Sequence, residues 1–345
     1  MPRIRIEAPA KLNLNLHVGA VRSDGYHDID GIFLALAFGD TLVFETSVSV
    51  KSEDLTDSPV SIAMNWQFPA KKTAVLDLPP EKNIIFRAIS LFRMRTGYDR
   101  GLKIDVEKRI PAGGGLGGGS SDAAATLLAL NRLILSEGGS PVSGETLSEM
   151  GAALGSDVPF FLNIAAESGG SDAGKYTCVA RVSGRGEQVQ LIAMPENYSD
   201  LSFVLVNPGF PSDTASAFRQ LSCMRKAFVL NAPMDETFSD AEYLSLLSAP
   251  PHNWPFVNDF LPAFETDNTN GANSFRNAGT VYREILTVLK ETGAEFTNLS
   301  GSGSTCFGVF TSRAGAAAAK EHLLRRWPCV IETFPLARRA IPYYN

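Results

Sequence analysis

Cysteine is scarce in this sequence. Only Cys178, Cys223, Cys306 and Cys329 occur in 345 residues, with no Cys-x-x-Cys pair and no neighbouring histidine. A structural zinc site needs several soft ligands at close spacing, so none is expected. Scattered thiols suit a reducing compartment, here the cytoplasm, where they serve as small buried hydrophobes. Long apolar runs are missing too. The longest near the start, Ile32 to Phe38, is far short of a membrane span, and Glu7 and Lys11 interrupt RIRIEAPAKLNLNL, so neither a membrane partner nor a signal peptide is expected. Basic charge is not in excess: 31 Lys and Arg stand against 37 Asp and Glu, a net charge of -6. That balance argues against nucleic acid as a partner but leaves room for a locally positive pocket that binds phosphates. No internal repeat or low-complexity tail occurs. Hydrophobic residues at 44% and charged residues at 20% give the chain enough apolar surface for a full core, and its length suits one large domain or two ordinary ones. Glycine, in contrast, is plentiful at 30 residues, and six of the seven positions from Gly113 to Gly119 are glycine.

Hydrophobic periodicity places that cluster. Residues 3–8 and 11–18 alternate as two half-buried strands with Pro9 between them, and Lys11, Asn13, Asn15 and His17 fall on the polar face of the second. Asp24-Gly25 marks a turn before Tyr26-His27. Residues 32–45 read as strand, and 46–80, rich in Ser, Lys and Pro, as an elaborated loop or hairpin with a weak run from Val60 to Phe68. Helical spacing over 82–96 ends at Gly97; a strand follows from Leu102 to Ile110, interrupted by Lys108. After the glycines comes an Ala/Leu-rich helix from Ser120 to Leu133, then a helix over 144–154. Strands are expected at 177–193 and 201–206 and a boundary near 215–225. Helix and strand then alternate: 281–290, 296–300, 305–310, 314–327 and 330–333. The fold class is α+β.

A glycine run between strand and helix leaves backbone N–H groups unobstructed, and the helix behind it adds the positive end of its dipole. Together they form an anion cradle, to be weighed against a merely flexible glycine-rich turn. A P-loop spacing runs from Gly114 to Gly119, but Ser120 stands where lysine is required. A GxGxxG pattern runs from Gly113 to Gly118, yet the second strand ending in an acidic residue is missing, which weakens a dinucleotide-dependent oxidoreductase.

The stretch PAGGGLGGGSSDAAATL resembles the second motif of the GHMP kinases. APAKLNLNLHVGAVRSDGYHDID at 8–30, LGSDVPFFL at 154–162, NPGFPSDTASAF at 207–218 and LSGSGSTCFGVF at 299–310 are similar, in the same order, to a branch of that family whose substrate carries a cytidine diphosphate group. The resemblance implies a two-lobed GHMP kinase fold: an N-terminal ribosomal-protein-S5-domain-2-like lobe containing a left-handed βαβ crossover, and a C-terminal ferredoxin-like lobe. The domains are expected at 1–215 and 216–345. It also implies ATP-dependent phosphorylation of the 2-hydroxyl of a cytidine-diphosphate-bearing methylerythritol in the non-mevalonate isoprenoid pathway; a mevalonate or homoserine type of GHMP kinase is the alternative. ATP is the implied cofactor, with Mg²⁺ following from its chemistry, and the molecule is expected to be a monomer or homodimer.

The resemblance also distributes roles. Asp157 would orient or deprotonate the attacking hydroxyl, and Lys11 beside it would stabilise charge on the moving phosphoryl group. Without the resemblance, Asp157 reads as a helix cap and Lys11 as a solvated strand residue. Pro111, Gly113, Gly114, Gly115, Leu116, Gly117, Gly118, Gly119, Ser120 and Ser121 would hold the ATP phosphates. Asn13 would contact substrate; Tyr26 would stack on the cytosine, His27 would hydrogen-bond its edge, Phe218 would close the stack and Thr214 would bond nearby, all four otherwise ordinary turn and core residues. Asp122 suits a first helical turn whatever the ligand, so the metal ligands stay unassigned. Segments 46–80, 167–176 and 231–253 are longer than the branch usually carries.

Overall fold

The computed structural model describes residues 2–47, 59–67, 80–167, 178–193, 195, 198, 200–227, 238–265 and 277–336. Two long strands organise the first half. β1 (Arg3–Val21) and β2 (His27–Ser47) run antiparallel along their whole length, joined by a tight turn. Pro9 does not divide β1 as its missing N–H led us to expect. It sits opposite Gly39, and the ladder slips between Pro9 and Lys11 instead of ending. The other edge of β2 is shared. Its second half pairs with β4 (Gly101–Lys108) and its first half with β5 (Val179–Gly184), which turns back into β6 (Gln188–Ile192). The expected single strand over 177–193 is therefore a hairpin, broken at Gly184-Arg185-Gly186.

β3 (Val60–Trp66) adds to the far edge, parallel to β4, and the chain crosses between them through α1 (Ile84–Thr96). The weak apolar run read inside a loop is thus a strand, its alternating pattern paired on one side only. Asn83 caps α1 by accepting from the Ile85 N–H, and the helix stops at Gly97 as its sequence predicts. α2 (Gly118–Ser136) lies against β1 and β2; α1, α3 (Gly144–Leu154) and α4 (Val158–Glu167) pack around it. Apolar side chains such as Leu12, Phe33, Phe44, Phe92, Leu127 and Phe160 fill the space between these helices and the sheet.

The second sheet has the order β10-β7-β9-β8, all antiparallel, formed by β7 (Ser202–Asn207), β8 (Phe296–Leu299), β9 (Cys306–Phe310) and β10 (Cys329–Thr333). α8 (Ala278–Glu291) and α9 (Arg313–Leu323) pack on it, while α5 (Thr214–Ala227) and α7 (Phe260–Glu265) lie beside them. This is the ferredoxin-like arrangement. Its first strand, β7, precedes residue 215 and lies between β9 and β10, as a split βαβ unit requires.

The elongated segment 231–253 contains α6 (Asp240–Ser248), capped by a reciprocal Ser239–Glu242 pair, and a short 3-10 turn at Pro251–Asn253. Its Tyr243 and Leu247, with Trp254 and Phe256 after it, join an apolar cluster that runs from the first lobe to Phe296 and Phe307 of the second sheet. The bulk of 46–80 and nearly all of 167–176 lie outside the described residues.

β1 fastens the lobes together. Leu16 exchanges backbone hydrogen bonds with Val257 and Asp259, and the buried Asn258 donates to the Leu299 and Gly301 carbonyls. A second seam joins Ala35 and Ala37 of β2 to Leu336 and Phe334.

Candidate active site

Lys11 is buried in the middle of β1, where its Nζ lies 3.4 Å from Asp157 Oδ2 and 2.5 Å from Asn13 Oδ1. The same ammonium sits 4.6 Å from the centre of the Phe33 ring. Only 5% of the lysine side chain is exposed, against 27% for Asp157, so the carboxylate faces outward from a cation held in place behind it. Asp157 stands in the turn immediately before α4. The Gly155 end of this turn approaches Ser120 of α2, whose Oγ would lie 3.8 Å from a Cβ at that glycine. Three sequence-predicted residues, Lys11, Asn13 and Asp157, are thus brought together.

The glycine loop runs directly beside them. The Lys11 N–H donates to the Leu116 carbonyl at 3.0 Å, and the lysine Cγ would lie 3.0 Å from a Cβ placed on Gly117. No side chain caps the N-terminus of α2, so its first N–H groups are open to another acceptor. The buried Ser121 hydroxyl likewise has no hydrogen-bond partner among the described residues. Gly115 shows why glycine is required: at φ 74°, a Cβ there would fall 2.1 Å from the Ser300 carbonyl oxygen. Ser300 in turn donates from Oγ to the Gly115 carbonyl, and Thr305 donates its N–H to Gly114 O. The cradle is a double loop, with Gly113–Gly117 locked to the Ser300–Thr305 turn.

The NPGFPSDT segment closes this assembly. Ser212 donates its N–H to Gly113 O at 2.8 Å and its hydroxyl to Ser302 O at 2.6 Å; Asn207 bonds to Ser304 and Thr305. Thr214 lies 3.0 Å from Ser302 Oγ, which places it against the serine–glycine turn at the start of α5. One turn further on, Phe218 stacks on His27 with ring centroids 4.9 Å apart and an interplanar angle of 23°. His27 Nδ1 is 2.9 Å from the Gly19 carbonyl, which can only accept, so this nitrogen carries a proton, and Nε2 lies 3.5 Å from Ser222 Oγ. Arg225 of α5 donates to the same carbonyl at 3.1 Å and to Asp259 at 2.9 Å. Burial would raise the Asp259 carboxyl, but bonds from His17 and the Val18 N–H, with the Arg225 charge, hold it below the usual range. Tyr26 projects from the turn at 56% exposure, its ring faced by the Arg185 guanidinium at 5.2 Å.

Asp122 is not at the cradle's mouth. It is buried beneath α2, where Lys108 bonds both to it, at 2.5 Å, and to Asp40. Burial opposes the Lys108 charge, but the two carboxylates more than offset it, and the ammonium titrates higher than usual. Asp122 moves the other way from an ordinary ion-paired acid: burial outweighs Lys108 and pushes it up to about 7. The lysine that seemed to interrupt a strand is therefore the counter-ion of two core carboxylates.

The four thiols divide. Cys178, Cys306 and Cys329 are buried, and burial raises each, Cys178 to about 12 and Cys329 to about 11; Cys223 is exposed, contrary to expectation. Among the described residues no three His, Cys, Asp or Glu side chains converge as a metal site, and no helix is long and apolar enough to cross a membrane.

Sequence patterns missed Asn258, Ser212 and Arg185. Only the Gly184-Arg185-Gly186 break could have exposed the last, as a turn signal inside an alternating run. Asn15 also departs from expectation. The ladder slips between Asn13 and Asn15, and Asn15 bonds to Tyr243 and the Val257 N–H instead of joining the Lys11 cluster.

A strand-borne lysine, an aspartate beside it and a glycine loop locked to a second loop define a small-molecule kinase. Residues 83–163 match the GHMP kinases N terminal domain and residues 260–329 the GHMP kinases C terminal domain. The chain belongs to the GHMP kinase family and is an ATP-dependent small-molecule kinase. It is 34% identical over 335 residues to a 4-diphosphocytidyl-2-C-methyl-D-erythritol kinase of Burkholderia thailandensis, covering 94% of this chain and 91% of that protein. A protein of the same name from Thermodesulfovibrio yellowstonii is 30% identical, covering 95% and 96%. A crystal structure of a 4-(cytidine 5'-diphospho)-2C-methyl-D-erythritol kinase superposes with a TM-score of 0.65 at 28% identity, covering 96% of this chain and all of that one. A homoserine kinase from Cytophaga hutchinsonii, at 15% identity and a TM-score of 0.61, shares the fold.

Proposed function

We propose that this chain transfers the γ-phosphoryl group of ATP to the 2-hydroxyl of 4-diphosphocytidyl-2-C-methyl-D-erythritol, a step of the non-mevalonate route to isoprenoid precursors. The observation that carries the reading is the Lys11–Asp157 pair at 3.4 Å beside an uncapped helix N-terminus. Phosphoryl transfer demands positioning and charge neutralisation more than covalent chemistry. Asp157 accepts the hydroxyl proton as the oxygen attacks. Lys11, held by Asn13 and Phe33, meets the charge on the moving group, and the Gly113–Ser121 amides and hydroxyls take the phosphates. Mg²⁺ suits such a site because its shell would come largely from phosphate oxygens and water, with Ser120 and Ser121 hydroxyls at hand; it would offset phosphate charge.

Cytidine recognition belongs to Tyr26, His27 and Phe218, with Thr214 holding the adjoining turn. With Nδ1 turned to the Gly19 carbonyl, His27 directs Nε2, 3.5 Å from Ser222 Oγ, toward the edge of the base. Four scattered cysteines, three of them buried, support a cytoplasmic setting. The division into two domains, a monomeric or homodimeric state and the absence of nucleic-acid partners complete the proposal. Release of ADP should follow addition of the cytidine diphosphate alcohol, and not of mevalonate or homoserine. Turnover of either of the latter alone would overturn the choice of substrate.

A further inference from the structure

The proposed substrate is a linear molecule with base, ribose, diphosphate and alcohol in that order. Its base end would be read at Tyr26 and His27, and its hydroxyl end at Lys11 and Asp157. The roles described so far leave the two negative charges between those ends without a counter-ion.

The β5–β6 turn spans that gap. Its Gly186 lies against the catalytic turn, since a Cβ there would meet the Ser156 carbonyl oxygen at 2.8 Å and Ser156 Cβ at 2.9 Å. The residue before it, Arg185, holds its guanidinium 5.2 Å from the Tyr26 ring centre. Two consecutive residues therefore touch the neighbour of the catalytic aspartate on one side and the base-stacking tyrosine on the other. Glu187 braces the turn by accepting the Arg185 backbone N–H at 2.6 Å, which fixes the backbone and leaves the guanidinium unengaged by that carboxylate. The guanidinium has an aromatic face for a partner, and among the described residues it forms no ion pair within 4.0 Å. An arginine so placed keeps its N–H fork for an anion, and its planar, delocalised charge suits the oxygens of a diphosphate.

We infer that Arg185 is a specificity-determining residue that binds the diphosphate of the substrate while backing the Tyr26 ring on which the base stacks. This inference rests on the function proposed above, and the test separates the two. It compares the intact enzyme with Arg185→Met and Arg185→Lys, measuring steady-state turnover of the cytidine diphosphate alcohol and equilibrium binding of CDP and of cytidine. Arg185 is exposed and carries no core contact, so its variants should keep the wild-type melting temperature. Arg185→Met should raise KM for the alcohol and weaken CDP binding by about 10- to 100-fold, with kcat within about twofold, KM for ATP unchanged and cytidine binding altered by less than about threefold. Arg185→Lys should recover part of the loss, since it keeps the charge without the fork. An equal loss of CDP and cytidine binding would overturn the diphosphate role, as would unchanged CDP binding. Failure of the wild-type enzyme to bind CDP at all would instead defeat the underlying choice of substrate.

Discussion

The phosphate cradle and the nucleobase turn are built on opposite principles. The cradle is made of backbone: Gly113, Gly114 and Gly115 give their carbonyls to Ser212, Thr305 and Ser300, so its shape is fixed by hydrogen bonds between loops far apart in sequence. The nucleobase turn has a fixed backbone too, closed by Arg22 donating to the Tyr26 carbonyl and by Tyr26 donating to Asp24. Its proposed recognising groups, however, are side chains from two places in the chain, Tyr26 and His27 at the β1–β2 turn and Phe218 on α5. A backbone cradle accepts any phosphate chain of the right shape. Side chains on a turn discriminate among bases and can change without disturbing the chemistry. On the proposed function, the first region serves catalysis and the second substrate choice.

The largest effect that would probe this division is at the junction. Asp157→Asn keeps size and hydrogen-bonding capacity but removes the proton acceptor, so kcat should fall by about 10²–10⁴-fold with CDP and ATP affinities nearly unchanged. Steady-state kinetics with a melting curve as control would check it, and near-normal turnover would remove Asp157 from its role. Next in size is Tyr26→Ala. Base stacking is worth about 1–3 kcal/mol, so KM for the cytidine substrate should rise by about 5- to 150-fold while KM for ATP holds. Loss of ATP affinity would mean the two regions are not separate. Gly115→Ala drives a methyl group into the Ser300 carbonyl and should cost about 1–3 kcal/mol of stability, together with weaker ATP binding, by calorimetry and nucleotide titration.

A further effect is a pH dependence. Asp122 has a folded value of about 7 against 3.8 for the free carboxyl, so it takes up a proton on folding between these limits. Its contribution is fully present below about pH 4 and lost as the pH rises through 7. Asp122→Asn should therefore flatten the change in melting temperature across pH 4–7, seen by comparing the slopes of the two proteins.

The sequence made the cradle legible because backbone function demands glycine, and six glycines in seven positions between a strand and a helix have few other uses. Lys11 and Asp157 were legible only through resemblance. Alone, each fits a bland local role, and their 3.4 Å contact depends on a turn 146 positions away in the chain. Lys108 looked like a defect in an apolar strand because Asp40 and Asp122, which neutralise it, come from separate elements. Pro9 misled in the other direction. Local rules end a strand at proline, but here the ladder slips past it opposite Gly39. Arg185 was hidden by an alternation that continues on both sides of its turn, and its neighbours Tyr26 and Ser156 are distant in sequence. The sequence did not show that β7 pairs in the second sheet, because its partners β9 and β10 come about 100 residues or more later in the chain.

The central claim is that two separate regions hold two different nucleotides at once. Titration calorimetry of CDP into the Asp157→Asn protein already saturated with ATP tests it directly, since that variant holds both ligands without rapid turnover. The account predicts binding of one CDP per chain at an affinity close to that measured without ATP. Competition, with CDP affinity falling in proportion to the ATP present, would contradict it.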